Sequence, residues 1–447
     1  MDTASPQATP LRYISLLPGP AWQERKPRTL AILGSTGSIG RSALEVLRLQ
    51  GGRFHLAAIA GARNIPLLAR QAAEFRPDHI GVLEEASIPE LRGLLPAGYS
   101  PAIVAGQQGY ETLARLPGVG AVLSAQVGAA GLRATFAAAG AGKVIALANK
   151  ESLVLAGDLI RAACGRSGAC ILPVDSEHNA IFQCLAGNFT APPHGAPTRG
   201  SGSAPGPRAG MGTAMGQSLP SPPEARDVSR LILTASGGPF FGRDRAFLES
   251  VTPDQALAHP NWTMGAKITI DSASMMNKGL ELIEAHHLYG LPMSALEVLV
   301  HRESIIHSLV EYADGSQLAQ LGQPDMRVPI ACCLGWPDRL ETGVPRLDLA
   351  ALGSLSFSRA DETAFPCLAL ARRAQESGKG SPVVLNAVNE EAVAAFLDRR
   401  IGFMDIPALV EKALDEHRGD AEPASVEEIL ALDKEARAKA REHISRI

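Results

Sequence analysis

The stretch "PVDSEHNAI" (173–181) sets Asp175, Glu177 and His178 directly after the apolar run "ACILPV". Two carboxylates two residues apart at a strand's tail can face one side. The carboxyl end of a strand is also where open α/β sheets bind ligands. Two hard oxygen donors suit Mg²⁺ or Mn²⁺, with water or substrate oxygens completing the shell. The same residues also read as a helix start, Asp175 or Ser176 capping "EHNAIFQCLA" and Glu177 favouring the helix dipole. A second cluster lies in "KITIDSASMMNKGLELIEAHHLYG", which reads as a strand running into a helix. There Asn277 and Glu281 are i,i+4 and Lys278 and Glu281 i,i+3, one polar face, while Met276, Leu280 and Ile283 form the inward stripe. Beside Ser272 this makes a candidate phosphate-and-metal pocket; a surface Lys–Glu pair is the plainer alternative. "TASGGPF" (234–240) offers Ser236 and two glycines after a strand, a candidate anion nest. "HPNWTMG" (259–265) holds His259, Trp262 and Met264 in a loop that is either a lid or an anchor.

These groups need a frame. "LAILGSTGSIGRSALEVL" is strand, glycine loop and helix, with Gly34, Gly37 and Gly40 three apart, a variant of the dinucleotide fingerprint. Small residues admit a pyrophosphate to the backbone N–H groups and the helix N-terminus adds positive potential. The second strand, "HLAAIAGARNI", ends in Ala62-Arg63-Asn64 with no acid for a ribose hydroxyl. A guanidinium there favours NADPH over NADH. Further strands are expected at 79–83, 102–106, 121–125, 143–148 and 170–174, with helical spacing between them. The alternation implies a Rossmann-like, doubly wound domain over 28–175.

A chain of 447 residues exceeds a single core. Its 46% hydrophobic and 20% charged content describe a globular protein, and a net charge of −4 gives no nucleic-acid footprint. No apolar run is long enough for a bilayer. Six cysteines without metal spacing read as reduced thiols, and the absence of a secretory pattern points to the cytoplasm. Residues 1–27 read as a loose N-terminal extension. The span 188–227, dominated by Gly, Pro, Ser and Ala, reads as a disordered surface insertion. Strand patterns at "SRLILTASGG", "ALEVLVH" and "SIIHSLVEYADGSQLAQLG", with "ADG" as a hairpin turn, indicate a central α+β catalytic domain over 176–335. A linker over 336–364 then leads to a C-terminal helical bundle over 365–447.

Taken in order, "LGSTGSIG", "ALANKESLV", "PVDSEHNAIFQ", "TASGGPF", "HPNWTMG" and "DSASMMNKGLELIEA" resemble one family, the 1-deoxy-D-xylulose-5-phosphate reductoisomerases, from about 28 to 445. The resemblance implies NADPH contacts at Thr36, Gly37, Ser38, Ile39, Ala62, Arg63, Asn64, Asn149, Glu151 and Gly265; Ala62 stands where relatives often have glycine. It implies metal ligation by Asp175, Glu177 and Glu281, the ion being Mg²⁺, Mn²⁺ or Co²⁺. Lys150, Ser176 and Glu177 then meet the sugar end of the substrate. Ser236, His259, Ser272, Asn277 and Lys278 gather at its phosphate and distal hydroxyl, with Glu281 lining the same pocket. Lys150, Glu177 and His259 become the catalytic candidates, and a homodimer through the second domain's strands is implied. The implied reaction is rearrangement and reduction of 1-deoxy-D-xylulose 5-phosphate to 2-C-methyl-D-erythritol 4-phosphate. Two rivals are a metal-assisted NADPH dehydrogenase of a phosphorylated hydroxy acid or ketone, and a silent NADPH or metal sensor.

Overall fold

The structure, a computed structural model, describes residues 14–24, 27–186, 227–262 and 264–447. Seven short strands, β1 (Arg28–Leu33), β2 (Phe54–Gly61), β3 (His79–Val82), β4 (Ala102–Ala105), β5 (Ala121–Ser124), β6 (Val144–Leu147) and β7 (Cys170–Pro173), form a parallel sheet ordered β4-β3-β2-β1-β5-β6-β7. Helices cover both faces, so β5, β6 and β7 are buried throughout and read as unbroken apolar runs. The strand order reverses between β1 and β5, and the glycine loop sits at that switch point. Gly34 has φ +98°, and a Cβ on it would lie 2.4 Å from the Ala125 carbonyl oxygen beyond β5. A Cβ on Gly40 would meet the Gly34 oxygen at 2.4 Å. Both positions therefore require glycine.

The helix Ser176–Leu185 leaves β7 and packs on a second sheet, ordered β11-β10-β8-β9-β12. Its strands are β8 (Val228–Ala235), β9 (Leu296–Val300), β10 (Ile306–Tyr312), β11 (Gln317–Leu321) and β12 (Ser358–Arg359). β8 and β9 pair in parallel, and the other neighbours are antiparallel, including the β10–β11 hairpin around Asp314-Gly315. Four helices follow, Cys367–Ser377, Ser381–Leu397, Asp405–Glu416 and Val426–Ile444, and pack on one another. The insertion expected at 188–227 lies outside the described residues, but for Asp227 at the start of β8.

Two segments differ from their sequence reading. Residues 266–273 form a helix, Ala266–Ala273, not a strand. Lys267 pairs with Asp271 at 2.7 Å, an i,i+4 contact, and Ile270 and Ala273 bury one face, so helical spacing prevails over the local K-I-T-I alternation. Residues 14–24, read as part of a loose extension, are packed. The Ile14 carbonyl accepts from Ile171 N–H on the free edge of β7 at 2.9 Å, and Ile14 N–H donates to the Leu288 carbonyl at 3.1 Å. Trp22 is buried, with the Arg28 guanidinium 4.8 Å from its ring centre.

Two long helices, Lys150–Ser167 and Met276–Tyr289, cross closely and bring their polar ends together. The approach depends on Gly157, where a Cβ would sit 2.2 Å from the His287 ring. Gly157→Ala must push these helices apart. The expected cost is about 1–3 kcal/mol of stability, read as a lower urea midpoint, together with reduced turnover. An unchanged midpoint overturns this account of the crossing.

Candidate active site

Neighbouring parallel strands deliver the first groups. Lys150 follows β6 and Asp175 follows β7, and the register Leu147↔Pro173 brings their backbones level. Asn149 caps the Lys150–Ser167 helix by accepting from Ser152 N–H. Asp175 occupies the cap position of the next helix but makes no side-chain cap bond. Its carboxylate lies instead 2.6 Å from Lys150 Nζ. Of the two sequence readings of Asp175, the helix cap is not made: the side chain is turned to Lys150.

The Met276–Tyr289 helix supplies the opposite wall. Lys150 Nζ is 3.1 Å from Glu281 Oε1 and donates to Asn277 Oδ1 at 2.7 Å. Asn277 in turn donates to Glu281 at 2.6 Å. Lys278 Nζ stands 2.8 Å from Glu177 Oε1 and 2.5 Å from Glu281 Oε2. Ser176 donates to Glu177 at 2.6 Å. Three carboxylates thus share two ammoniums, with the Glu281 side chain 1% exposed.

Burial opposes every charge in this cluster. For Lys150 it is outweighed by Asp175, Glu281 and Glu284, which raise its pKa well above the usual lysine value. For Lys278 it is outweighed by Glu177 and Glu281, again raising the pKa. Burial also works against the Asp175 carboxylate, but Lys150, His178 and Lys278 hold its pKa well below the ordinary range. Glu177 goes the other way: burial and then the Glu281 charge raise its pKa despite Lys278.

Among the described residues Asp175, His178 and Glu281 form the compact donor set, their ligand atoms within 4.8 Å of one another. Glu177 is turned toward Lys278 and stands outside that set. His178 Nε2 lies 3.0 Å from Glu284, both side chains buried. Burial disfavours the imidazolium, but Glu284 prevails and raises its pKa. Glu284 is a partner that the sequence reading missed, although its i,i+3 spacing from Glu281 places it on the same helix face.

A second cluster forms where β8 ends. Ser236 Oγ and Ser272 Oγ each lie 3.1 Å from His259 Nε2. Nδ1 of the same ring accepts from the N–H groups of Asn261 (3.2 Å) and Trp262 (3.0 Å). Two donors on Nδ1 place the neutral ring's proton on Nε2, facing both hydroxyls. Burial first, then Arg302, pull the His259 pKa below its ordinary value. Gly237 and Gly238 have φ +75° and +63°, and Gly238 N–H points at Ser236 Oγ, 3.2 Å away. Arg302, also missed, braces this turn by donating to the carbonyls of Ser236 (3.1 Å) and Gly238 (2.8 Å). It follows a strand, as many ligand-site residues do, but no motif marked it. Trp262 is half-buried, its ring 6.4 Å from that of His307.

The expected nucleotide residues follow the carboxyl ends of β1, β2 and β6, with Gly265 before the Ala266–Ala273 helix. Thr36 and Ile39 are half-buried, Gly37 and Ser38 exposed, and the Ser38–Arg48 helix has no side-chain cap. Its first N–H groups are thus available to an anion. Ala62, Arg63 and Asn64 follow β2; Arg63 is exposed and makes no ion pair among the described residues. Asn64 caps the next helix by accepting from Leu67 N–H at 3.0 Å. Asn149 donates to Glu151 Oε2 at 2.9 Å and to the Gly128 carbonyl at 3.0 Å. Gly265 is exposed and begins the Ala266–Ala273 helix.

Comparison with known proteins gives one answer along the chain. The family model for 1-deoxy-D-xylulose 5-phosphate reductoisomerase matches residues 30–157. Two models of C-terminal domains of the same enzyme match 210–289 and 321–439. The 1-deoxy-D-xylulose 5-phosphate reductoisomerase of Nitratidesulfovibrio vulgaris (strain DP4) is 57% identical, covering 96% of this chain and 96% of its own. That of Oleidesulfovibrio alaskensis is also 57% identical, over 95% of this chain and 97% of its own. The Zymomonas mobilis enzyme solved with NADPH superposes with a TM-score of 0.81 at 43% identity, over 94% of this chain and 100% of its own. A DOX-P reductoisomerase with NADPH, fosmidomycin and magnesium gives 0.81 at 42%, over 94% and 98%.

The geometry of His259 carries a pH prediction. Its lowered pKa makes the ring more often neutral at pH 6.5 than an ordinary imidazole. The stabilisation from its Nδ1 bonds is present above that pH and lost as pH falls through the lowered folded value. Trp262 fluorescence is expected to titrate with a midpoint below 6.5 and to lose that transition in His259→Gln. A midpoint at or above the ordinary value contradicts the assignment.

Proposed function

The chain belongs to the 1-deoxy-D-xylulose 5-phosphate reductoisomerase family, and on that premise we propose which of its residues hold metal, nucleotide and sugar phosphate. The family reaction is the NADPH- and divalent-metal-dependent rearrangement and reduction of 1-deoxy-D-xylulose 5-phosphate to 2-C-methyl-D-erythritol 4-phosphate. When bound, the cation supplies Lewis acidity toward the ketone and neighbouring hydroxyl, and NADPH supplies hydride.

Asp175, Glu177 and Glu281 are the proposed oxygen ligands. The supporting observation is the charge balance: one buried and two half-buried carboxylates against two ammoniums leave a negative excess that suits a hard cation. His178 belongs to the compact set, but its Nε2 faces Glu284, so its proposed part is to hold the Asp175–Glu177 turn. Lys150 keeps its proton and orients the substrate oxygens; Ser176 and Glu177 border the same sugar end. Ser236, Ser272 and the Nε2–H of His259 grip the phosphate, with the Gly237-Gly238 turn beside them. Asn277 and Lys278 reach from that pocket to the carboxylates and meet the distal hydroxyl.

The nucleotide is proposed to lie along Thr36–Ile39, Ala62–Asn64, Asn149, Glu151 and Gly265, its pyrophosphate at the uncapped helix start. Arg63 takes the 2′-phosphate, which selects NADPH. A homodimer through the second sheet is supported by exposed Leu318 and Leu321 on its outer strand β11. A cytoplasmic location is proposed with it; no helix of the described residues is long and apolar enough to cross a membrane.

NADPH absorbance is expected to fall on adding 1-deoxy-D-xylulose 5-phosphate with Mg²⁺, to hold steady with EDTA, and to yield a branched product. A linear product supports the dehydrogenase rival, and NADPH binding without oxidation supports the sensor. Lys150→Ala is expected to lower kcat by about 10²–10⁴-fold while substrate still binds; unchanged turnover removes Lys150 from the mechanism. Glu281→Gln is expected to weaken Mn²⁺ binding by calorimetry at least ~10-fold; unchanged affinity removes Glu281 from the ligand set.

A further inference from the structure

We propose that Lys267 is a positioning residue that couples the nucleotide residues to the sugar-phosphate pocket, by tying the helix carrying Ser272 to Glu151. The inference rests on the site assignments above and extends them to a residue they leave without a role. Lys267 stands two residues beyond Gly265, in the first turn of the Ala266–Ala273 helix. Its ammonium lies 2.7 Å from Asp271 Oδ2 and 3.6 Å from Glu151 Oε1. Glu151 Oε2 accepts from Asn149 Nδ2 at 2.9 Å, so both oxygens of this carboxylate are engaged. Asp271 is held from its other side, where Asn389 Nδ2 donates to Oδ1 at 2.8 Å. Asn389 is fully buried in the Ser381–Leu397 helix of the C-terminal bundle.

Ser272 is the next residue after Asp271, and its hydroxyl is one of the two facing His259 Nε2. The other end of the same helix begins at Gly265, where the 259–265 loop rejoins it. A shift of Glu151 when nucleotide docks therefore has a direct mechanical route, through Lys267 and Asp271, to Ser272 and to the base of that loop. Lys267, its side chain 27% exposed, is ion-paired closely to Asp271 and more loosely to Glu151, so the helix is tied to both partners. A surface pair would transmit little. Here the Asp271 side chain is 2% exposed and that of Glu151 11%, so neither carboxylate has ready access to water as a substitute partner. Allosteric coupling between two ligands commonly amounts to about 5–150-fold in affinity, and a proposed route needs a direct measurement of that factor.

NADPH and 2-C-methyl-D-erythritol 4-phosphate, both reduced, form a dead-end pair that permits an equilibrium test with Mg²⁺ present. The NADPH Kd is measured by fluorescence with and without saturating product in the full-length protein. Wild type is expected to bind NADPH at least about 5-fold tighter with product. Lys267→Met is expected to bring that ratio toward one while changing the NADPH Kd alone far less, and Lys267→Arg to restore most of it. Because Lys267→Met leaves Asp271 buried without its cation, the pair Lys267→Met/Asp271→Asn is measured too, with the same ratio near one expected. A ratio unchanged from wild type in either variant overturns the coupling role, as does a wild-type ratio of one. Loss of NADPH binding itself in all the Lys267 variants, arginine included, also overturns it in favour of a purely structural role. Wild type that binds neither ligand overturns the functional assignment on which the inference rests, an outcome separate from the others.

Discussion

Two buried ammoniums among three carboxylates are the constraint around which the molecule is arranged. Glu281 cannot be buried as a charge without Lys150 and Lys278, and neither lysine can be buried without the acids. These residues come from three separate places: just after β6, just after β7 and the first two turns of the Met276–Tyr289 helix. Their pairing fixes how the nucleotide sheet meets the central domain to within hydrogen-bond tolerance. Hydrophobic packing around Met276, Leu280 and Ile283, all fully buried, supplies the stability to hold charges there. The cluster supplies direction.

The same arrangement explains why the two halves of the cleft differ in chemistry. On the carboxylate side charge is concentrated and the groups hold one another rigidly. In the His259 cluster the groups are neutral: two hydroxyls, an imidazole N–H and the glycine turn braced by Arg302. A dianionic handle suits neutral donors beside one lysine, since no permanent counter-charge has to be displaced. A polyhydroxy ketone beside a cation suits the first. Under the proposed assignment the two clusters would take opposite ends of the sugar phosphate.

Much of this was legible in the residues. The strands of the first sheet appear as apolar runs, and β5, β6 and β7 do so because strands shielded on both faces need no alternation. The glycine loop could be placed because it follows the first strand, and Arg63 at the tail of the second. The shared face of Asn277, Lys278 and Glu281 followed from helical spacing. What failed did so for local reasons. The helix at 266–273 opens with K-I-T-I, too short a run to separate a period of two from one of 3.6. Asp175 could not be divided between cap and cleft, because Lys150, its partner, begins a helix elsewhere in the chain. Arg302 acts through carbonyls brought near only by the fold, and no spacing in the chain announces it; Glu284 shares a helix face with Glu281, but its histidine partner lies on another helix. The nucleotide residues followed from the family resemblance more than from any pattern of their own.

The packed segment at residues 14–24 has a consequence for how the molecule is made. Ile14 bridges the outer edge of β7 and the carbonyl of Leu288, so it joins parts of the chain that leave the ribosome at very different times. The first sheet can assemble while the segment still waits for its second partner. Until the Met276–Tyr289 helix is complete, the edge of β7 is without that clasp, and an unpaired strand edge invites contact with other chains. Closure of the clasp is therefore a late event of biosynthesis, and it reports that the central domain has docked.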